Sequence, residues 1–177
     1  MKNQSLSRIA RRGAPLWSIV IFCGVLLCGA LGDAVRAASW NNIEPLKSRR
    51  EDVERSLGKP IASEASEGDA LRFKVNGGTV IITFVTPKFI AAKKLAPEYE
   101  GTVLQIALQH DGASATAEAL NLSKDDEFTS QTQQNVTVYT NARKGLIYTF
   151  VDGKLKTSWF NASAEQLARA SRERAKR

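Results

Sequence analysis

Two turns constrain this chain more than any other feature. Asn76-Gly77 interrupts "ALRFKVNGGTVIITFV", and Asp152-Gly153 interrupts "GLIYTFVDGKLKTSWF". A two-residue type I′ turn needs positive φ at both central residues, and Asn-Gly and Asp-Gly supply it most readily. Each stretch therefore predicts a β-hairpin. Alternation puts Leu71, Phe73 and Val75 on one face of the first hairpin. It puts Leu146, Tyr148 and Phe150 together on one strand of the second, and Leu155, Thr157 and Trp159 together on the other. "GTVLQIALQ" adds a strand with Leu104, Ile106 and Leu108 on one side, and "NVTVY" from Asn135 adds another, for about six strands in all. The hairpins do not read as a duplication. Aligning the turns sets Leu71 and Phe73 against Ile147 and Thr149 rather than against the bulky face.

One helix is bounded at both ends by "PLKSRREDVERSLGKP". Ser48 suits the N-cap, and Glu51 three residues on completes a capping box. Glu51, Asp52 and Glu54 favour the positive end of the helix dipole. Gly58 suits the left-handed residue past the C-terminus, and Pro60 prevents continuation. Val53 and Leu57 lie four apart and share a face. So short a helix is not stable alone and must pack that face onto the sheet.

The connections are less ordered. In "TPKFIAAKKLAPEYEG" two prolines argue against one continuous helix. The polar stretch His110 to Gln134 has only Leu120, Leu122 and Phe128 as anchors, with a helical turn expected after Ser123. Ser163 and Gln166 form a second capping-box pattern before "AEQLARASRERAKR", whose only large apolar residue is Leu167. That composition predicts a solvated helix or a disordered tail.

The first residues have the layout of a secretory leader. Lys2, Arg8, Arg11 and Arg12 precede the apolar run "SIVIFCGVLLCGALG", and Val35-Arg36-Ala37 places small residues before a cut between Ala37 and Ala38. A cut after Ala34 is the alternative. The apolar run is shorter than the ~20 residues of a spanning helix. Arg11-Arg12 is followed by "GAPL", which does not support a twin-arginine signal, so the general export route is expected. Cys23 and Cys28 both lie in the leader, after Phe22 and Leu27 rather than after the small residue of a lipoprotein signal. The expected mature chain, about 140 residues, is therefore cysteine-free: no disulfide, no thiolate nucleophile, no cysteine metal site. It holds together through its core alone.

Charge narrows the partners. The leader carries five basic residues and one acid, which takes the formal charge from +7 to +3. Arg169, Arg172, Arg174, Lys176 and Arg177 against Glu165 and Glu173 account for that +3, leaving a neutral central body. A neutral body implies no nucleic-acid partner. The Arg-rich end is the one segment suited to an anionic surface, at about 1 kcal/mol per basic residue.

Catalytic chemistry finds little foothold. The single histidine, His110 in "LQHDGAS", reads as a solvated loop residue, and no nucleophile elbow or oxyanion motif accompanies it. One histidine and no cysteine do not make a zinc site. Asp125-Asp126-Glu127 lacks the alternate spacing and glycine of a calcium loop. Glu64, Glu67 and Asp69 are the only clustered loop carboxylates that would serve a glycoside hydrolase. No Walker pattern is present. Cofactors and metals are therefore not expected.

The run Leu46-Lys47-Ser48, Asp52-Val53, Leu57-Gly58-Lys59-Pro60, followed by a hairpin, resembles the helix and "LGxP" turn of SmpA/OmlA-type envelope lipoproteins. One of these is a small subunit of the outer-membrane β-barrel assembly machinery. The unit is also similar to that of β-lactamase-inhibitor-like proteins, and the chain resembles exported bacterial proteins more generally. The likeness covers residues 43–85. The chain departs from the family in having no lipidated cysteine and one helix before the turn where the family has two. The resemblance implies helices on one face of an antiparallel sheet, and binding to another protein as the activity.

The expectation is thus an α+β protein: a leader over 1–37, one domain over 38–162, and a basic helix or tail over 163–177. It has an antiparallel sheet of about six strands, a short capped N-terminal helix packed on one face and a polar C-terminal helix or tail. The expected role is a non-catalytic interaction module of the bacterial cell envelope, periplasmic or secreted, whose partner is another envelope or extracellular protein. Its expected contact surfaces are a sheet edge or face and the loop from Lys88 to Gly101. The alternatives are an envelope-polymer hydrolase using loop carboxylates, and electrostatic adhesion through the Arg-rich end.

Overall fold

The computed structural model describes residues 38–61, 70–112 and 115–176, and these fall in one compact unit. The leader up to Ala37, the loop acids Glu64, Glu67 and Asp69, and Arg177 lie outside the described residues. The class is α+β. Seven antiparallel strands run β1 (Ala70–Val75), β2 (Gly78–Phe84), β3 (Val103–His110), β4 (Thr129–Gln133), β5 (Val136–Asn141), β6 (Leu146–Val151) and β7 (Lys154–Asn161). Among the described residues three α-helices accompany them: α1 (Arg50–Leu57), α2 (Pro87–Lys93) and α3 (Ala164–Ala175). The order across the sheet is β1-β2-β3-β7-β6-β5-β4. Two meanders, β1 to β3 and β4 to β7, therefore meet at a single seam between β3 and β7.

Register separates the two faces. Leu71, Ile82, Ile106, Phe160 and Leu146 stand in one row across five strands. Phe73, Val80, Leu108, Ser158 and Tyr148 form the next row on the same side. Val53 of α1 and Ile43 share a buried cluster with Leu71, Phe73, Val80, Ile82 and Ile106. Farther along that side, Phe150 and Leu155 cluster with Ala117 and Leu122 from the β3–β4 connection, and Phe128, Tyr139 and Tyr148 pack against them. A third cluster joins Leu46, Val85, Ile90 and Leu95 to Ala170 of α3. The opposite side carries Arg72, Ile81, Ala107, Trp159, Ile147 and Thr140 in one row, and none of them belongs to these clusters.

Two β-bulges overturn part of the simple alternation. Thr83 pairs with Gln105 and Phe84 with Val103, so Leu104 is the extra residue of β3 and joins the helical cluster instead of siding with Ile106. Thr149 pairs with Thr157 and Phe150 with Leu155, so Lys156 is extra in β7. A bulge sets two residues against one and re-phases everything beyond it. Leu155 consequently joins Phe150, while Thr157 and Trp159 face the other side.

The start of α1 lies one residue later than the sequence suggests. Arg49 is the N-cap, and its backbone N–H donates to Asp52 Oδ2 at 2.9 Å. Ser48 is buried and its hydroxyl accepts from the Glu44 N–H at 3.0 Å, closing the preceding turn, and Glu51 stays exposed. The Ser48 carbonyl accepts from the Val103 N–H at 2.8 Å, a bond to β3 that a capping conformation would have to accommodate. At the other end Gly58 has φ 82° and donates to the Glu54 carbonyl, two residues before Pro60.

The segment after Thr86 is helical in two pieces, each opened by its proline: α2 and a 3-10 turn, Pro97–Tyr99. Proline at the first helical position removes only an N–H that would have had no partner. The C-terminal segment is a docked helix, not a free tail. Ser163 and Gln166 cap it reciprocally, at 3.2 and 2.8 Å, and Gln166 Nε2 also donates to the Pro45 carbonyl at 2.9 Å. Ala170 is fully buried, and its carbonyl accepts from the Ala96 N–H at 3.2 Å. Small residues at Ala162 and Ala170 let the helix approach closely enough for one large apolar side chain, Leu167, to suffice.

Tyr99 adds the polar half of this contact. Its hydroxyl donates to Glu173 Oε2 at 2.5 Å, and burial, then the Glu173 carboxylate, push its pKa up from 10.0 to about 12. The folded chain therefore keeps this proton where the unfolded chain loses it. The contribution to stability is complete below 10.0 and falls away as pH rises towards about 12. Denaturant unfolding across that range should show stability declining, and Tyr99→Phe should flatten part of the decline. A second expectation concerns the central cluster: Phe73 is fully buried, and Phe73→Ala should cost about 3–5 kcal/mol in equilibrium urea unfolding.

Candidate functional site

Three features of the surface stand out: one bare sheet edge, one cleft, and a docked basic helix. The two edges of the sheet are treated differently. On β1 the exposed side chains Arg72 and Lys74 carry charge, and the Ile61 N–H donates to the Arg72 carbonyl at 2.8 Å, covering part of the edge. On β4 all five residues of "TSQTQ" are exposed, and none is charged or proline. Among the described residues β4 pairs only with β5, so its outer edge presents backbone groups that no other described strand pairs. Thr129 Oγ1 donates to the Thr140 carbonyl at 3.3 Å, and the Thr132 and Thr137 hydroxyls lie 3.1 Å apart, which fixes β4 to its inner neighbour. A shallow concavity of about 640 Å³ runs along Gln131, Gln133, Val136 and Val138. β4 went unrecognised in the sequence because it has no apolar residue to alternate. The available signals were its β-branched threonines and the turn that follows, where Gln134 adopts φ 55°.

The cleft lies at the far end of the β1–β2 hairpin and has a volume of about 460 Å³. Trp40 is set there by a tight turn: Trp40 and Ile43 exchange backbone hydrogen bonds of 3.0 and 2.8 Å, with Asn41 and Asn42 both at positive φ. Asn41 and Ser56 then tie this turn to α1 through two bonds, Nδ2 to Oγ at 3.1 Å and Oγ to the Asn41 carbonyl at 2.9 Å. Leu57, Val75 and Leu108 supply an apolar floor. Gly78 keeps the hairpin close to β3, since a Cβ there would lie 2.0 Å from the Gln109 carbonyl oxygen.

His110 closes one side of the cleft. It ends β3 rather than sitting in a solvated loop, and it is half-buried. Its Nε2 lies 2.8 Å from Ser158 Oγ on the neighbouring strand. Ser158 is itself buried in the middle of β7, where no turn presents its oxygen, so the pair is a cross-strand hydrogen bond. Burial lowers the imidazole pKa from 6.5. Acid therefore destabilises the fold here, because below 6.5 the unfolded chain takes up a proton that the folded chain resists. As the chain has one histidine, NMR titration of its ring protons should show a midpoint below 6.5, and Ser158→Ala should shift it.

The remaining residues singled out in the sequence take structural places. Asn76-Gly77 and Asp152-Gly153 join β1 to β2 and β6 to β7, with Gly77 at φ 80°, Asp152 at 50° and Gly153 at 72°. Ala38 is half-buried at the start of the described chain, and Ala37 lies before it. Glu127 does not stand with Asp125 and Asp126 as a ligand cluster. It ion-pairs with Lys144 and accepts from Asn141 Nδ2 at 3.3 Å, and Lys144 first, then Asn141, draws its carboxyl below the ordinary range. Leu122 is buried and Phe128 half-buried in that connection, while Leu120 is exposed, so two of the three expected anchors hold it. Among the described residues, no group of three or more acidic, histidine or cysteine side chains is placed to hold a metal ion.

On α3, Arg169 pairs with Glu165 at 3.6 Å, while Arg172, Arg174 and Lys176 are exposed. The segment from Lys88 to Gly101 is less available than expected. Leu95 and Ala96 are buried, and its carbonyls at Glu98 and Glu100 accept from the Arg49 guanidinium at 2.7 and 3.0 Å. Comparison with protein-family models, curated proteins and solved structures finds no match.

Proposed function

We propose that the chain is an exported, non-catalytic protein-interaction module of the bacterial cell envelope, and that it captures an extended segment of an envelope or extracellular protein along β4. The observation that carries this reading is the outer edge of β4: five exposed, uncharged, proline-free residues with nothing laid over them among the described residues. Folded proteins ordinarily guard such edges with charge, proline, bulges or a covering segment. Here β1 is guarded and β4 is not. An added strand gains main-chain hydrogen bonds from the edge and side-chain contacts from the adjoining concavity. The leader-like first residues support export, and the resemblance of residues 43–85 to SmpA/OmlA-type proteins supports a binding role. The exposed Arg172, Arg174 and Lys176 would add a salt-sensitive contact to an anionic surface, secondary to the edge.

The test is site-specific photo-crosslinking in intact envelopes. A photoreactive residue at Gln131 should yield one discrete adduct that the same residue at Lys59 does not. Ser130→Lys with Thr132→Lys should abolish the adduct while leaving the unfolding midpoint almost unchanged, because both positions are exposed. An adduct that survives both lysines would refute capture at the edge.

A further inference from the structure

We propose that the groove between α2 and α3 seats a phosphate group of an anionic lipid and so docks this end of the domain on a membrane surface. This rests on the anionic contact proposed for α3 and is independent of capture along β4. The two helices are tied together. Ile90 of α2 and the following Leu95 share a buried cluster with Ala170 of α3, and the Ala96 N–H donates to the Ala170 carbonyl at 3.2 Å. Beside that contact lies a groove of about 480 Å³ lined by Ala91, Lys94, Ser171, Arg174 and Ala175. Helical spacing accounts for one wall, since Ser171, Arg174 and Ala175 fall at i, i+3 and i+4. Lys94 supplies the other as the left-handed C-cap of α2, φ 53°.

Pairing sets this corner apart. Elsewhere Lys47, Arg55, Lys74, Lys144 and Arg169 each hold a carboxylate. The Lys94 and Arg174 side chains and the Ser171 hydroxyl have no partner among the described residues. The same holds for Lys88 and Lys93 on α2 and for Arg172 and Lys176 at the end of α3, all exposed. α2 contains no acid. On α3, Glu165 is held by Arg169 at 3.6 Å, and Glu173 accepts from the Tyr99 hydroxyl at 2.5 Å. Cations at helix C-termini ordinarily complement the dipole, but two such ends together offset only about one positive charge. An unpaired excess remains.

The groove's chemistry selects a phosphate. Two cations and a hydroxyl stand over a floor of two alanines, and the guanidinium fork suits the oxygens of a tetrahedral anion. The surroundings select a lipid over a free ion. Lys88, three residues before Ala91, stands on the same side of α2, and Arg172 and Lys176 continue the charge along the last turns of α3. A bilayer meets that spread at once, at about 1 kcal/mol per basic residue, whereas a single ion meets the groove alone. Apart from cations, the exposed side chains of the two helices are alanines, Pro87 and Glu165. None is aromatic, so the surface has no ring on which the bases of a nucleic acid would stack.

The experiment is co-sedimentation of the full chain with vesicles of phosphatidylcholine, alone or mixed with phosphatidylglycerol. The leader is common to every arm, so differences between variants report the folded domain. The chain should bind the mixed vesicles more tightly. Lys94→Gln with Arg174→Gln should weaken that binding about thirtyfold, equivalent to about 2 kcal/mol. Arg172→Gln with Lys176→Gln removes the same charge outside the groove and should weaken it less than about fivefold. All four residues are exposed, so both variants should keep the circular dichroism spectrum of the parent chain. Inorganic phosphate at the concentration of lipid phosphate should leave the vesicles bound. The groove assignment fails if the outer pair costs as much as the groove pair, or if neither pair weakens binding. It fails together with the whole anionic contact of α3 if phosphatidylglycerol makes no difference to the parent chain. Displacement of the vesicles by inorganic phosphate would overturn the lipid as the source of the phosphate. None of these results bears on the adduct at Gln131, which tests β4 separately.

Discussion

The pairing of β3 with β7 is the constraint on which the rest depends. Every other strand pair is local: a hairpin, or in β2–β3 a return through α2 and a 3-10 turn. β3 and β7 are separated by the whole second meander, and only their five-residue register, Gln105↔Asn161 to Gln109↔Thr157, turns two small sheets into one. Side chains pin this seam near both ends. Gln105 Nε2 donates to Asn161 Oδ1 at 2.6 Å at one, and His110 meets Ser158 at the other. Closing so long a loop costs entropy before the contacts that reward it form, so the seam is the natural late event in folding. Once formed, it completes the rows from Leu71 to Leu146 and from Phe73 to Tyr148 on which the core is built.

What could be read from the sequence divides along the same lines. Local chemistry was legible: Asn-Gly and Asp-Gly each demand a tight turn wherever the chain goes, and the apolar alternation around them marks strands. The α+β class followed. Three things were not legible, each for a physical reason. β4 stabilises nothing by burial, so it has no hydrophobic pattern. The bulges at Leu104 and Lys156 depend on what the partner strand does, which no local window contains. The α3 dock relies on the absence of bulk at Ala162 and Ala170 and on Tyr99 reaching Glu173 from 74 positions away. Counting large apolar side chains makes such a helix look solvated. The Trp40 cleft was hidden similarly, because its floor and its rim come from four separate stretches of chain.

The bulge at Lys156 shows how one residue distributes function. Without it, Leu155 and Trp159 would stand on the same side of β7, and either the core would lose Leu155 or the indole would be forced inward. With it, Leu155 completes the cluster with Phe150 while Trp159 lies among neutral residues on the other side, its Nε1 donating to Thr157 Oγ1 at 3.2 Å. The sheet thereby keeps one apolar side for its covers and one mixed side, where Arg72 and Lys74 stand beside Ile81, Ala107, Trp159 and Ile147.

Charge follows a matching division. Among the described residues, the ion pairs join neighbours on α1, on α3 and in the turn before α1 (Lys47 with Glu44), pin the β5–β6 turn through Glu127, or tie Lys74 to Asp111. β4, the adjoining strand β5 and the cleft lining are left without charge. Surface ion pairs contribute little to stability, so this arrangement is poorly explained as a stabilising device. It fits the strand capture proposed for the β4 edge. On that proposal a neutral edge would accept a strand of any sequence that lacks its own guard. In a domain proposed for export and expected to have no disulfide, the core clusters supply the rigidity that holds this uncharged edge in place.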